Sequence, residues 1–276
     1  MKLSVITVNY NNLYGLRETI MSVTEQTFRD FEYIIVDGNS TDGSKEYITE
    51  KNTGLWISEP DSGIYNAMNK GVRMAHGEYC IFMNSGDTFY DRNVLQKVIP
   101  LLNGGDFYVG HPMLVKGKKS VRENIPHKMS IGFLLLGSIN HQSTFTRTAI
   151  LKESPYNENY RIVSDWEKFF TEWFLHDRSY IPIDITIAKF RQDGISSSNM
   201  KLLLKEKQDV IDRLVPSYLQ KGLLLEEDLT PLERKIKKAM SKPPVSRDLK
   251  LLRCSLRFLI KDCLHQIKAV FPFFKR

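Results

Sequence analysis

Between Leu3 and Met83 the chain alternates short runs of β-branched and aromatic residues with segments whose apolar positions recur at helical spacing. "LSVITV" (3–8), "FEYIIVD" (31–37), "LWIS" (55–58) and the run from Tyr79 to Met83 read as strands. The segment from Leu13 to Glu25, "SKEYITEK", and "IYNAMNKGVRMA" (64–75) read as helices. Strands separated by helices at this spacing predict a parallel, doubly wound sheet. In such sheets ligands gather beyond the carboxyl ends of the strands. Each predicted strand releases polar residues there: Thr7, Asn9 and Tyr10; Asp37, Gly38 and Asn39; Ser58, Glu59 and Asp61; then Asn84 to Asp87. Any one group is explained by ordinary turn chemistry. Four at one edge point to a binding site.

From Phe107 the alternation loosens. "DFYVGHPMLV" and "KKSVREN" read as a hairpin, "INHQSTFTR" (139–147) as a strand, "SDWEKFFTEWFLH" (164–176) as a helix and "SYIPIDITIAKF" (179–190) as extended chain. A helical region starts near "NMKLLLKEKQDVIDRLV" (199–215), so the chain divides into a catalytic-type domain over 1–200 and a helical C-terminal region over 201–276.

Composition narrows the classes. Of 276 residues, 42% are hydrophobic and 11% aromatic, which suits a packed core. The opening "MKLSVITVNYNN" is too short an apolar run for a signal peptide, and no stretch approaches the roughly 18 apolar residues of a membrane span. Three cysteines without a CxxC pair indicate neither a disulfide framework nor a zinc knuckle, and a reducing cytoplasm is the expected compartment. The net charge of +7 is unevenly placed: residues 233–276 carry +10 and the remainder −3. Arguments about partners from charge therefore concern the tail.

Motifs of other nucleotide-binding and hydrolytic classes are absent: there is no GxxxxGK[ST], GxGxxG after the first strand, HExxH or GxSxG. What remains is a set of carboxylates at the strand ends. Asp37 could accept a hydrogen bond from a base or ribose. Asp87 could hold a divalent ion against a diphosphate, since Mg²⁺ and Mn²⁺ commonly take one or two protein carboxylates plus phosphates and water.

"SVITVNYNN", "SVTEQTFRDFEYIIVDGNSTDGS" and "SEPDSGIYNAMNKGVRMAHGEYCIFMNSGD" together resemble family 2 glycosyltransferases of the GT-A, Rossmann-like fold. The resemblance is dense over about the first 90 residues and looser to about residue 200. It implies inverting transfer of a sugar from a nucleotide diphosphate donor to an acceptor hydroxyl, with a divalent metal (Mn²⁺ or Mg²⁺). Carried over by position, Thr7, Asn9 and Tyr10 would wall the base pocket and Asp37 would contact the base. Asp87 of "MNSGD" would take the place of the DxD metal ligand. The chain departs from many relatives in having Gly38, Asn84 and Gly86 where they carry acids, so Asn84 stands as a neutral substitute for the ribose contact.

Asp165 in "RIVSDWEKFF" resembles the family's catalytic base. The residues alone allow a second reading, in which Ser164 and Glu167 form an S-x-x-E capping box and Asp165 faces the helix dipole. Asp61 and Lys70 match positions near the donor, with Lys70 either a diphosphate counter-ion or a solvated helix charge. His141 could lie by the donor sugar or metal, or be a hydrogen-bonded strand histidine. Arg191 and Ser196 in "RQDGISS" suggest a loop over the phosphates, or an ordinary turn.

In "DLKLLRCSLRFLIKDCLHQIKAVFPFF", Lys250, Arg253, Arg257, Lys261 and Lys268 cluster on one side of a helical wheel, with Leu249, Leu252, Leu256, Ile260 and Ile267 on the adjoining face. The pattern predicts a membrane-surface helix, with a contact to the catalytic domain or a second subunit as the alternative; nucleic acid is not expected. The expected protein is a peripheral enzyme on the cytoplasmic face of the inner membrane, building a surface polysaccharide or lipid-linked glycan. The alternative from another class is a non-catalytic, membrane-tethered nucleotide-sugar-binding protein, which would need no base at Asp165. A processive synthase is disfavoured by the missing QxxRW motif, and a sugar nucleotidyltransferase by the missing glycine-rich basic loop after the first strand.

Overall fold

A computed structural model of the chain describes residues 1–117, 119–191 and 199–215. The chain divides into two units, Met1–Lys207 and Gln208–Arg276. Of the second, only the residues up to Val215 are described, as the end of a helix. The predicted basic tail and Ser196 lie outside the described residues.

The first unit is built on a mixed sheet flanked by helices, and the GT-A, mostly parallel expectation holds. Strands β1 (Leu3–Asn9), β2 (Glu32–Asp37), β3 (Leu55–Ser58) and β4 (Tyr79–Phe82) lie in the order β3-β2-β1-β4, all parallel. Helices α1 (Leu13–Thr24), α2 (Ser44–Lys51) and α3 (Ile64–Met74) make the crossovers. β1 is buried along its whole length because both faces are covered. On one face Leu3 and Val5 join the core that includes Leu16, Ile20 and Val23 of α1; on the other Ile6 and Val8 join Ala67, Met68 and Val72 of α3. Each such aliphatic side chain removed from water contributes roughly 1.5–3 kcal/mol.

Beyond β4 the sheet changes hand of pairing. A two-residue strand, β5 (Thr88–Phe89), had no signature in the sequence. β6 (Phe107–Lys116) and β7 (Lys119–Arg122) form the expected antiparallel hairpin. β8 (Thr144–Arg147) pairs antiparallel with both β4 and β6, and β9 (Tyr180–Arg191) lies parallel to β6 and antiparallel to β5. The remaining helices are α4 (Val94–Val98), α5 (Ile131–Leu136), α6 (Thr148–Glu153), α7 (Ser164–Phe170) and α8 (Met200–Leu214).

Three local expectations are corrected. The predicted strand over 139–147 begins only at Thr144, because His141–Ser143 form a 3₁₀ turn with Ser143 N–H bonded to Asn140 O. The predicted helix over 164–176 is α-helical to Phe170 and continues as a π-turn over Thr171–Leu175. The capping box does not form. The cap position is Val163, the buried Ser164 Oγ has no hydrogen-bond partner, and Glu167 accepts from Asn157 instead. The backbone N–H groups of Arg161, Ile162 and Val163 are instead satisfied by the buried carboxylate of Glu206 in α8, at 3.0, 3.0 and 3.3 Å. A carboxylate from a distant helix thus holds the three residues that lead into α7, up to its cap position.

Candidate functional site

The parallel register places the ends of β1, β2, β3 and β4 at one edge of the sheet, and Asp37 ties three of them together. Its carboxylate, with no exposed surface, accepts from Asn9 Nδ2 (2.8 Å), Ser40 Oγ (2.6 Å), Ser40 N (2.9 Å) and Ser58 Oγ (2.7 Å). Thr7 is likewise internal: its hydroxyl donates to Met83 O at 2.7 Å and meets Tyr33 Oη at 3.0 Å. Tyr10 is the exposed member of this group. A Cβ built on Gly38 would stand 2.4 Å from Asp61 Oδ2 and 3.1 Å from the Tyr10 ring. The Asp61 carboxylate thus occupies the space a side chain at position 38 would take, which accounts physically for glycine there. Lys70 reaches back to Pro60 O (2.7 Å) and Glu59 Oε1 (2.8 Å), bracing the loop that carries Asp61.

The turn after β4 carries Asn84 and Asp87. Asp87 N–H bonds to Asn84 O at 2.8 Å, and Gly86 sits at φ +103°, a region that favours glycine. Ser85 Oγ donates to Asn9 Oδ1 and Asn12 Nδ2 to Ser85 O, joining the turn to the end of β1. Thr19 of α1, which sequence reasoning passed over, contacts Asp87 O at 2.7 Å and accepts from Gly86 N at 3.0 Å. Gly15 lets α1 approach this closely, since a Cβ there would meet Gly86 N at 2.8 Å.

Asp165 enters from the far side of the sheet edge. Its Oδ2 accepts from His141 Nδ1 at 2.7 Å; its Oδ1 accepts from Trp166 N at 2.9 Å and lies 3.0 Å from Tyr65 Oη, whose single proton is shared with Ile162 O. The other ring nitrogen of His141 faces Asn84 Nδ2 at 3.1 Å, so one histidine bridges the turn after β4 and Asp165. Burial opposes charge on Asp165, but the His141 hydrogen bond and charge prevail and hold its carboxyl below the ordinary range. Burial likewise disfavours His141 cation, yet Asp165 and the charge of Asp87 raise its value above the ordinary one. Lys207 lies with its Nζ 4.7 Å from the Trp166 ring centroid and donates to Gly137 O; burial pushes it down to about 8. Tyr65 and Glu206 had no distinguishing pattern in the sequence.

Of the expected residues, the structure gathers Thr7, Asn9, Tyr10, Asp37 and Asp61 around one end of the edge, and Asn84, His141 and Asp165 in one bonded series near Asp87. Arg191, at the end of β9, pairs with Glu18 of α1 at 3.0 Å. Among the described residues no group of three His, Cys, Asp or Glu side chains could hold a cation alone. A cation there would have one protein carboxylate, that of the buried Asp87, and would be completed by ligand oxygens.

Comparisons with known proteins agree with this architecture. The family model "Glycosyl transferase family 2" matches residues 4–162. An uncharacterized glycosyltransferase of Mycobacterium tuberculosis is 34% identical over 175 residues, covering 59% of this chain and 66% of that protein. A PGL/p-HBAD biosynthesis glycosyltransferase of Mycobacterium bovis is 29% identical over 174 residues, with the same coverage. The matched region thus spans just under two thirds of these relatives' length. Among solved structures, S. aureus TarS in complex with UDP-GlcNAc superposes with a TM-score of 0.61 at 20% identity, covering 86% of this chain and 70% of that one. A mannosyltransferase from Pyrobaculum calidifontis in complex with GDP-Man and Mn²⁺ gives 0.54 at 15%, covering 94% and 69%. With more than half its length matched by the family model on a GT-A scaffold, the chain belongs to glycosyl transferase family 2.

Proposed function

We propose that the protein transfers a sugar, with inversion, from a nucleotide diphosphate donor to an acceptor hydroxyl, with Asp165 as the base. The observation that carries this reading is the bonded series Asn84–His141–Asp165, which runs from the turn bearing Asp87 to an ionised carboxylate at the same sheet edge.

The nucleoside end of the donor lies against Tyr10 and Asp61, on a floor shaped by Asp37, Asn9 and Thr7. Asp37 acts here through the side chains it orients, because all four of its hydrogen bonds are made within the protein. Asn84 Oδ1, buried and unpartnered among the described residues, is the acceptor available to a donor hydroxyl. A divalent cation held by Asp87 and the donor diphosphate would neutralise charge on the leaving group. Asp165 accepts the acceptor's proton as the hydroxyl oxygen attacks the anomeric carbon and the bond to the diphosphate breaks. Its lowered basicity means that positioning, by His141, Tyr65 and the Trp166 amide, supplies most of its effect. Lys70 and Arg191 act by bracing the loop around Asp61 and the end of β9. Ser196 is kept as a contact over the phosphates on its sequence position alone.

The complexes of structural neighbours with UDP-GlcNAc and with GDP-Man and Mn²⁺ support a nucleotide sugar and a divalent metal as ligands. The relative named for PGL/p-HBAD biosynthesis supports a glycolipid or lipid-linked glycan as acceptor. No helix among the described residues is long and apolar enough to cross a membrane, and we assign membrane contact to the basic segment 248–276 at the cytoplasmic face.

A panel of UDP-, GDP- and dTDP-sugars tested with Mn²⁺ for binding and for slow donor hydrolysis is the experiment. One nucleotide bound in a metal-dependent manner and its sugar released are expected. Binding without any turnover by wild type, even with glycan and glycolipid acceptor pools, would favour the non-catalytic reading.

A further inference from the structure

The sheet does not stop at its ligand edge. β8 pairs antiparallel with both β4 and β6, so β6 runs parallel to β4, with Phe107 level with Cys80. Val109 is then level with Phe82, the last residue of β4, and Gly110–Lys116 run on past the edge that carries Asn84 and Asp87. At about 3.3 Å per residue this overhang projects by roughly 20 Å, less what the irregular pairing between Val109 and Pro112 takes up. β9 occupies one side of β6 along the overhang, so β7 pairs with the other side, beyond β8. The result is a flange, β7-β6-β9, in which the last residues of the hairpin to pair are Lys116 and Lys119.

The flange is basic where the surrounding chain is acidic. In sequence, Lys116, Lys118, Lys119, Arg122 and Lys128 stand against Glu123, giving +4 over 116–128, while the rest of residues 1–232 sums to −7. Of the five, Arg122 is paired, with Asp184. The register sets Lys116 directly opposite Lys119, and like charges at opposed positions cost stability unless an anion lies across them. The register also brings Phe190, Leu114 and Val121 side by side on one face, and Lys119, two residues from Val121, shares that face. Leu114 and Phe190 are half-buried, while Val121 is 61% exposed on a strand exposed at every position.

We infer that the β6–β7 hairpin is a docking surface for an anionic lipid bilayer, with Val121 and Leu114 against the boundary of headgroups and acyl chains and the lysines among lipid phosphates. A purely anionic partner, such as a polyanionic glycan, would use the lysines and leave the apolar residues in water; a lipid surface uses both. Because the hairpin projects from the edge bearing Asn84 and Asp87, this contact turns that edge toward the bilayer, where a lipid-linked acceptor would be presented. It adds to the contact proposed for residues 248–276 and involves other residues, so each can fail without the other.

The test is hydrogen exchange, read by mass spectrometry, on the full chain alone, with vesicles of mixed phosphatidylglycerol and phosphatidylcholine, and with vesicles of phosphatidylcholine only, alongside sedimentation. Exchange across residues 114–122 is expected to slow on the mixed vesicles and to stay unchanged on phosphatidylcholine. Lys119→Glu should weaken sedimentation with the mixed vesicles by about tenfold, and Val121→Thr by roughly threefold. Protein that sediments with no slowing across 114–122 would overturn the inference and leave the tail contact standing, whereas protein that does not sediment would overturn both. Weaker binding in Lys119→Glu with none lost in Val121→Thr would overturn the lipid assignment in favour of a polyanion. Slowing that appears without vesicles and grows with protein concentration would give the hairpin to a second copy of the chain instead. Should a variant lose the native fold by circular dichroism, the contrast between the two vesicle types in wild type decides the matter alone.

Discussion

His141 Nδ1 lies 2.7 Å from Asp165 Oδ2, and the two residues come from different elements, the 3₁₀ turn before β8 and the first turn of α7. The contact matters because it joins a carboxylate to the turn after β4 through one rigid ring, whose far nitrogen meets Asn84. In the proposed reaction this contact would hold the base in place against the acceptor.

Asp165→Asn should cut transfer by roughly 10²-fold or more while leaving nucleotide affinity within about twofold, as expected for loss of a general base. The Trp166 N–H that Asp165 Oδ1 accepts from can still be met by the side-chain oxygen of Asn, so the helix should survive. Single-turnover transfer alongside nucleotide titration checks this; a wild-type rate would assign Asp165 a purely structural role.

The stability of the His141–Asp165 pair should depend on pH in a stated direction. His141 is raised above its unfolded value of about 6.5, so its contribution is full below that pH and fades as pH rises through the folded value. Asp165 is lowered below about 3.8, so its contribution is present above that pH and fades as pH falls through the lowered value. The Tm difference between wild type and His141→Gln, measured in EDTA, should therefore be largest near pH 5 and smaller at pH 8.5. A difference independent of pH would show that the pair is not charged.

Asp87→Ala should abolish the metal-dependent part of nucleoside diphosphate binding, because the diphosphate charge loses its bridging ion. Calorimetry with UDP and GDP, with Mn²⁺ and with EDTA, reads this directly. An unchanged Mn²⁺ dependence would remove Asp87 from the role.

Gly15→Ala tests the turn from behind. The new methyl would meet Asn12 Nδ2 at 2.4 Å and Gly86 N at 2.8 Å, so the capping side chain of Asn12 and either α1 or the turn must shift, costing about 1–3 kcal/mol. Metal-dependent nucleotide affinity should fall together with stability. Stability lost with affinity intact would show that the turn does not set the position of Asp87.

Truncation before Asp248 should release the chain from anionic vesicles and leave the catalytic unit folded, since each Lys or Arg near an anionic leaflet contributes about 1 kcal/mol. Sedimentation with vesicles at low and high salt, and circular dichroism of the truncated chain, are the measurements. Equal sedimentation, or an unfolded truncation, would place the segment against protein instead.

Much of the donor half was legible in the sequence. Runs such as "LSVITV" and "FEYIIVD" are apolar on both faces, and only a buried parallel strand uses such a pattern, so the order of strands and helices up to Met83 followed directly. Their common carboxyl edge followed too, and with it Asn9, Asp37, Asp61, Asn84 and Asp87. These residues are read well because local pattern and position in the fold coincide.

The surroundings of Asp165 depend on contacts that no local pattern encodes. Ser164 and Glu167 have capping spacing, yet the chain entering the helix is held by Glu206 from about forty residues away, because a buried carboxylate can satisfy three adjacent N–H groups at once. "INHQSTFTR" alternates like a strand, but His141 is drawn into a 3₁₀ turn where its ring reaches both Asn84 and Asp165. Sequence by itself determined the four parallel strands up to Met83, their shared edge and the identity of the carboxylates there. Tertiary packing alone decided which carboxylates are spent on internal hydrogen bonds, as Asp37 is, because burial and partner geometry are properties of the assembled neighbours.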